Sequence, residues 1–233
     1  MTLGRGPRGF PVGITGKSRI IAHTRFTTAG THKYFKPQVD DPEDCTVVLR
    51  TWAGGGAGDN MPTTGGGGGG FNERAYPYTE IPACMSCVVG AGGTAPSGNG
   101  GDSYIDDDVI DVAATGGTGG SVADGVGGKP AFRHGTSTLF TFDHAPYNGG
   151  NGCPTTYPLE QSQGIWGAAG GCGFVTTSQP TSIYGGNGAA FDGVTTYPAT
   201  APGGGGSYFS DSGVGKPGEI EIIILRGSHA PIR

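Results

Sequence analysis

Short runs of β-prone residues alternate with glycine tracts along most of this chain. In Glu219-Ile-Glu-Ile-Ile-Ile-Leu225, charged and aliphatic residues alternate over the first four positions. A second run, Thr46 to Trp52, leads directly into Ala53-Gly-Gly-Gly-Ala-Gly58. Runs of this kind are typical of strands. Two longer blocks, 76–89 and 103–112, predict further strands, and glycine tracts follow both.

Glycine accounts for 50 of the 233 residues and proline for 17, a content that often accompanies disorder. Hydrophobic residues nevertheless make up 34% of the chain and charged residues only 14%, so little charge opposes a compact fold. No Gly-X-Y period runs through the sequence, which excludes collagen. Long helices are disfavoured because each interior glycine costs about 1 kcal/mol relative to alanine. We therefore expect an all-β protein.

The longest glycine tract is Gly65–Gly70, and it needs a structure of its own. Polyglycine can form a left-handed extended helix with three residues per turn and no internal hydrogen bonds. Several such helices packed side by side can satisfy one another's N–H and C=O groups, and a side chain would hold their backbones apart. The sequence therefore predicts a strand frame beside a bundle of polyglycine II helices, with long irregular loops.

Charge divides the chain into two parts. Residues 1–39 hold seven of the 14 basic residues, whereas all 19 acidic residues lie from Asp40 onward. We interpret residues 1–22 as an extended basic N-terminal arm and residues 23–233 as a glycine-rich β domain. A basic arm can bind nucleic acid or lipid, but the glycine, proline and aliphatic content of this one favours a strap laid on a partner protein. The candidate attachment residues are Arg5, Arg8, Lys17 and Arg19. Because a strap on a partner protein is favoured, we expect no nucleic acid partner. We also expect no membrane insertion, since no stretch of about 18 apolar residues is present.

Residues 133–200 form a nearly neutral, loop-rich insertion with signs of a two-fold internal repeat. Gly149-Gly-Asn-Gly152 recurs as Gly185-Gly-Asn-Gly188, and Thr155-Thr-Tyr-Pro158 recurs as Thr195-Thr-Tyr-Pro198. In and beside this region lie aromatic side chains whose flat amphipathic faces suit stacking on sugars. The candidate ligand-binding residues are Tyr147, Tyr157, Trp166, Tyr184, Tyr197 and Tyr208. The alternative is that these aromatics wedge between glycine helices.

No motif for catalysis, metal binding or a cofactor survives inspection of its context, so we expect no enzyme, no metal and no cofactor. Cys84-Met-Ser-Cys87 has the spacing of a zinc or redox pair, but Val88 and Val89 follow it, which favours buried thiols in a strand. A second close pair is missing, because 18 residues separate Cys153 from Cys172. The acidic cluster between Asp102 and Asp111 lacks the pattern of a calcium loop and favours a solvated turn.

The order of these landmarks resembles the glycine-rich domain of tailed-bacteriophage virion proteins of the tail-fibre and receptor-recognition type. The matching pieces are TVVLRTWAGGGAG (46–58), GGGGGGFNERAYPYTEIPACMSCVVGAGG (65–93), DSYIDDDVIDVAATGGTGG (102–120) and GGGGSYFSDSGVGKPGEIEIIIL (203–225). A comparable module occurs in receptors of the anaplastic lymphoma kinase type. The resemblance implies a tumour-necrosis-factor-like β-sandwich that supports the polyglycine helices, and a homotrimer.

The resemblance also implies a function. We expect a non-enzymatic structural protein of a bacteriophage virion, assembled in the host cytoplasm. It would be a tail-fibre-associated adhesin whose arm binds other virion proteins and whose loops contact a host surface glycan or protein. The alternative is a capsid or tail decoration protein without a host ligand. A glycan-degrading enzyme ranks last, because the neutral region offers no paired carboxylates.

Overall fold

The described part of the protein consists of antiparallel sheets and glycine-rich segments, with short 3-10 turns and no α-helix. The computed structural model describes residues 19–59, 64–120, 125–133, 139–153, 162–172, 179–191, 195–207 and 213–227. The all-β prediction is thus confirmed for these residues.

Two sheets share one hydrophobic core. The first sheet contains, in spatial order, β1 (Arg19–Phe26), β12 (Glu219–Arg226), β3 (Cys45–Trp52) and β4 (Phe71–Pro77). The second contains β2 (Gly30–Phe35), β5 (Cys84–Val89), β6 (Ser103–Asp106), β7 (Val112–Ala114), β8 (Pro130–Phe132) and β9 (Phe140–Thr141). A separate hairpin pairs β10 (Ala190–Phe191) with β11 (Thr196–Tyr197). Alternate residues of β3 and β12, such as Leu49 and Ile222, pack against Met85 and Ile105 of the second sheet.

The predicted strands at 46–52 and 219–225 are confirmed, but two longer predictions need correction. Block 76–89 is not one strand, because Tyr78–Glu80 forms a 3-10 turn and the flanking residues belong to different sheets. Block 103–112 is likewise divided between β6 and β7. In addition, β1 begins at Arg19, inside the segment interpreted as an arm, where it pairs with β12 as an edge strand.

Cys84 and Cys87 lie in β5, as the strand interpretation predicted. Only Cys87 is buried, since Cys84 is exposed, so the expectation of two buried thiols is half wrong. Burial raises the pKa of the Cys87 thiol to about 12. Cys153 and Cys172 form a disulfide with their Cα atoms 4.7 Å apart. The prediction that they are isolated is wrong, because the fold makes them neighbours although they are far apart in sequence.

The glycine-rich segments continue the strands and bond to one another. We call the set of described segments joined by backbone hydrogen bonds the glycine network. It consists of residues 53–58, 64–70, 90–93, 98–101, 115–120, 125–129, 149–153, 167–172, 185–189, 203–207 and 213–218. Adjacent strands feed adjacent segments: β3 continues into 53–58, and 64–70 leads into β4.

Segment 64–70 shows a three-residue period in its hydrogen bonds. Every third N–H group donates to the same neighbouring segment. The bonds run from Gly66 to Gly206 O (2.9 Å) and Gly69 to Gly203 O (2.9 Å), from Gly67 to Thr118 O (2.9 Å) and Gly70 to Thr115 O (3.1 Å), and from Gly68 to Gly150 O (2.8 Å). Its carbonyl groups accept hydrogen bonds from three other segments, 53–58, 125–129 and 167–172. This segment therefore has six bonded neighbours.

Segment 53–58 is surrounded in the same way. Its N–H groups donate to 64–70, 98–101 and 213–218 in a repeating order, and its carbonyl groups accept from 90–93, 115–120 and 203–207. In segment 64–70, close packing requires glycine from Gly65 to Gly70. A Cβ atom at any position of Gly65–Gly70 would lie 1.9 to 2.6 Å from a backbone atom of another segment.

Candidate functional site

An aromatic cluster fills the corner where the first sheet meets the glycine network. Trp52, the last residue of β3, pairs with Phe71, the first residue of β4. Their ring centroids are 4.7 Å apart. Side chains alternate along a strand, so Trp52 lies on the face of the sheet opposite to core residues Val47 and Leu49. Both rings are buried.

Two of the predicted ligand-binding residues pack onto this pair. The ring of Tyr147 meets Phe71 edge to face at 5.0 Å, and the indole of Trp166 stacks on Phe71 at 5.5 Å with an interplanar angle of 17°. The indole N–H of Trp52 donates to the Trp166 carbonyl at 2.9 Å. Network segments 149–153 and 167–172 begin next to Tyr147 and Trp166, so the segments fix these rings at the corner.

Tyr184 extends the cluster to the surface. Its ring stacks on Trp166 at 3.9 Å and 10°, and 52% of the residue is exposed. The Tyr184 N–H donates to the Ile165 carbonyl at 3.0 Å, and Ser182 donates its hydroxyl proton to the carbonyl of Gly167 at 2.7 Å. We call the three-ring column Phe71–Trp166–Tyr184 the aromatic stack. It runs from a fully buried ring to a half-exposed one.

Two exposed aliphatic residues are sequence neighbours of rings in the aromatic stack. Ile183 is 70% exposed and Ile165 is 46% exposed. They come from neighbouring loops, which are joined by a bridge between Gly164 and Ser182. Exposed apolar side chains gathered around an aromatic ring can mark a binding surface.

The sheet beside the cluster carries an alternating charge ladder. Arg25, Glu221, Arg50 and Glu73 occupy one row across the four strands of the first sheet. The successive N–O distances are 3.2, 3.5 and 2.7 Å. Tyr147 lies close to this row: burial raises the pKa of its phenol, and the charge of Glu73 acts in the same direction. Tyr147 thus stays neutral in the folded protein at ordinary pH.

The six candidate ligand residues therefore do not form one site. The structure brings together Tyr147, Trp166 and Tyr184, but Tyr147 is buried and packs against the other rings of the cluster. Tyr197 lies in β11 and packs against the Cys153–Cys172 disulfide in a separate small cluster. Tyr157 and Tyr208 lie outside the described residues.

Among the candidate attachment residues, only Arg19 is described, and it is the first residue of β1. Arg5, Arg8 and Lys17 lie outside the described residues. Trp52 and Phe71 were not predicted as part of the site, although both stand where a strand meets a glycine tract. Ile165 and Ile183, each next to a predicted aromatic residue, were not predicted either.

The repeat noted in the sequence has a structural counterpart in the glycine network. Both Gly-Gly-Asn-Gly copies are network segments, and both bond to 167–172. Gly150 donates to Ala168 O and Ala169 donates to Gly186 O, at 2.8 and 2.9 Å. Of the two Thr-Thr-Tyr-Pro copies, the first lies outside the described residues and the second contains β11.

Within the described ranges, no three metal-ligating side chains gather at one place, and no helix has the length and apolarity needed to cross a membrane. No curated protein sequence matches the chain. The profile of the glycine-rich domain family matches residues 27–222, which include β2 to β11, the first half of β12 and the glycine network. The chain therefore belongs to the glycine-rich domain family.

Proposed function

We propose that the glycine network is a bundle of polyglycine II helices carried by a tumour-necrosis-factor-like β-sandwich. Two observations support the helices: hydrogen bonds that repeat every three residues, and six bonded neighbours around both 53–58 and 64–70. Three residues per turn is the periodicity of the polyglycine II helix. The core shared by two antiparallel sheets supports the sandwich.

We further propose that the protein is a non-enzymatic structural component of a tailed-bacteriophage virion and acts there as a tail-fibre-associated adhesin. The observation that carries the adhesive role is the exposed ring of Tyr184 at the end of the aromatic stack. A ring anchored through Trp166 and Phe71 loses little conformational freedom when it binds, which favours affinity. Aromatic faces of this kind suit the apolar faces of sugars, so a host surface glycan is the proposed ligand.

Attachment to the particle belongs to the same proposal. The basic residues Arg5, Arg8, Lys17 and Arg19 would bind other virion proteins, and the adhesin would be a homotrimer assembled in the host cytoplasm. The sequence resemblance to virion proteins supports this part. Mass spectrometry of purified particles, followed by electron microscopy, tests it. Copies on every capsomer would contradict the adhesin and favour a decoration protein.

The adhesive role is tested by changing Tyr184→Ala and measuring binding of the purified chain to host cells and to isolated surface polysaccharides. We expect binding to fall at least tenfold, corresponding to about 1.4 kcal/mol. Phe35→Ala is the control, because Phe35 is an exposed aromatic on β2 and does not belong to the aromatic stack. Unchanged binding by a folded Tyr184 variant would contradict the proposal.

A further inference from the structure

In the outer segments of the glycine network, some backbone N–H groups donate to side-chain oxygens and not to backbone carbonyls. Segment 115–120 has the three-residue period described above. Its first set of N–H groups donates to carbonyls of 125–129 and its second set to carbonyls of 53–58. The third set, on the remaining face, meets no backbone carbonyl. Gly116 and Gly119 belong to this third set.

These two N–H groups are satisfied by side-chain oxygens. Gly116 donates to Asp102 Oδ1 at 2.9 Å, and Gly119 donates to Asn99 Oδ1 at 2.8 Å. The two acceptors are three residues apart, as are the two donors. A row of side chains with the period of the network therefore covers this face.

Segment 125–129 is covered in the same manner. Gly125 and Gly128 donate to carbonyls of 64–70 at 2.9 and 2.8 Å. The remaining N–H groups meet side chains. They donate from Gly127 to Asn151 Oδ1 (2.9 Å), from Val126 to Thr118 Oγ1 (2.7 Å) and from Lys129 to Thr115 Oγ1 (2.8 Å). Thr115 and Thr118 are again three residues apart.

The chemistry of these caps resembles that of a further glycine segment. The amide oxygen of asparagine is the same kind of acceptor as a peptide carbonyl. The distances of 2.8 to 2.9 Å from Asn99, Asp102 and Asn151 equal those between backbone segments. Uncapped N–H groups in a regular row would be a template for another chain, as they are at the edge of a sheet.

We propose that the Gly116 and Gly119 N–H groups can bind a glycine-rich segment of a second copy of this chain, and that Asn99 and Asp102 block this association by occupying both groups. The inner faces of the same segment already bind glycine-rich segments through the same groups, so this association continues an existing packing mode. Blocking it limits the network to one molecule. This inference does not depend on the proposed function.

The test is the double variant Asn99→Ala/Asp102→Ala, compared with the parent chain. We expect its mass in light scattering to rise with concentration, and we expect it to bind a lysine-flanked oligoglycine peptide that the parent does not bind. At low concentration, the amides of Gly116 and Gly119 should exchange with solvent about tenfold faster, as expected for the loss of one hydrogen bond each. Unchanged mass and no peptide binding by the folded variant would overturn the proposal.

Three further variants keep the test decisive. Asp107→Ala is the matched control, because Asp107 accepts from the Val109 N–H in a turn outside the network and should not change association. Asn99→Asp/Asp102→Asn keeps both acceptor oxygens and should behave as the parent. If the double alanine variant does not fold, Asn99→Ala uncovers the Gly119 N–H alone and must still bind the peptide, or the proposal fails.

Discussion

Trp52 and Phe71 lie directly opposite each other at the last paired position of β3 and β4, where both strands enter the glycine network. From this point the two chains no longer pair as strands but occupy the two segments with six bonded neighbours each. The two rings are also the base of the aromatic stack. One residue pair thus joins the sheet, the network and the candidate site.

Replacing Phe71 should therefore be costly. Phe71 is fully buried and contacts Trp52, Tyr147 and Trp166, so Phe71→Ala should lower the free energy of unfolding by about 3 to 5 kcal/mol. Thermal unfolding should show a fall in Tm of roughly 10 °C. Phe140→Ala, at an exposed position of β9, is the control and should change stability by less than about 0.5 kcal/mol. Equal effects of the two changes would contradict the packing described.

Alanine in the longest glycine tract should destabilise the protein, although alanine usually stabilises a chain by restricting its unfolded state. At Gly67 the new Cβ would lie 2.2 Å from the Val126 carbonyl oxygen, so the backbones must separate. We expect Gly67→Ala to cost about 3 kcal/mol in urea denaturation. Val126→Ala shortens an exposed side chain of the same network and is the control. A variant at Gly67 as stable as the parent would show that the segments are not packed this closely.

The disulfide joins the ends of network segments 149–153 and 167–172. Because it closes a loop of about 20 residues, Cys153→Ser/Cys172→Ser should lower the free energy of unfolding by about 3 kcal/mol. Reducing agent should lower the stability of the parent and leave this variant unchanged. Cys84→Ser changes an exposed thiol and should have little effect. A non-reducing digest without a linked 153–172 peptide pair would contradict the assignment.

Stability should fall in alkaline solution. Burial raises the pKa of Cys87 to about 12 from an ordinary value of 9.0, and it also raises the pKa of Tyr34 to about 12. Between these values the unfolded thiol has lost a proton that the folded thiol retains, so the free energy of unfolding falls as pH rises. One such group contributes up to about 1.4 kcal/mol per pH unit.

The variant Cys87→Ala separates this effect from packing. The lost side chain should lower stability at every pH, whereas the fall of stability with pH above about pH 9 should become less steep. Burial also raises the pKa of Cys45, so part of the slope should remain. Urea denaturation across this range measures both quantities. The exposed Phe140 gives the comparison, since Phe140→Ala removes no titrating group and should leave the slope unchanged. An unaltered slope in the Cys87 variant would show that the thiol is not protected.

The sequence predicted those parts of the fold that depend on local pattern. Strands at 46–52 and 219–225 were evident from β-prone residues and alternation, and the glycine tracts begin where strands end. The strands β1 and β2 were missed because Arg19–Phe26 and Gly30–Phe35 are edge-type, basic sequences whose partners are distant. Block 76–89 was predicted as one strand, although Pro77 and Pro82 mark the break between β4 and β5.

The candidate site was predicted in part for a similar reason. Aromatic residues in a neutral region identified Trp166 and Tyr184, because composition alone shows them. Their stacking on Phe71 depends on the pairing of segments far apart in sequence, and so does the meeting of Cys153 with Cys172. Each of these cysteines follows a glycine at the end of a network segment, a signal visible only once the segments are aligned.

The three-residue period also limits how such a protein can change length. Adding one residue to a network segment would rotate every later N–H group by a third of a turn and direct it to the wrong neighbour. Adding three residues restores every direction and lengthens the segment by about 9 Å. Insertions in both arms of a hairpin such as 53–58 and 64–70 should therefore be tolerated in steps of three. Insertions in multiples of three residues would let relatives differ in the length of the glycine network, while each segment keeps the same neighbours.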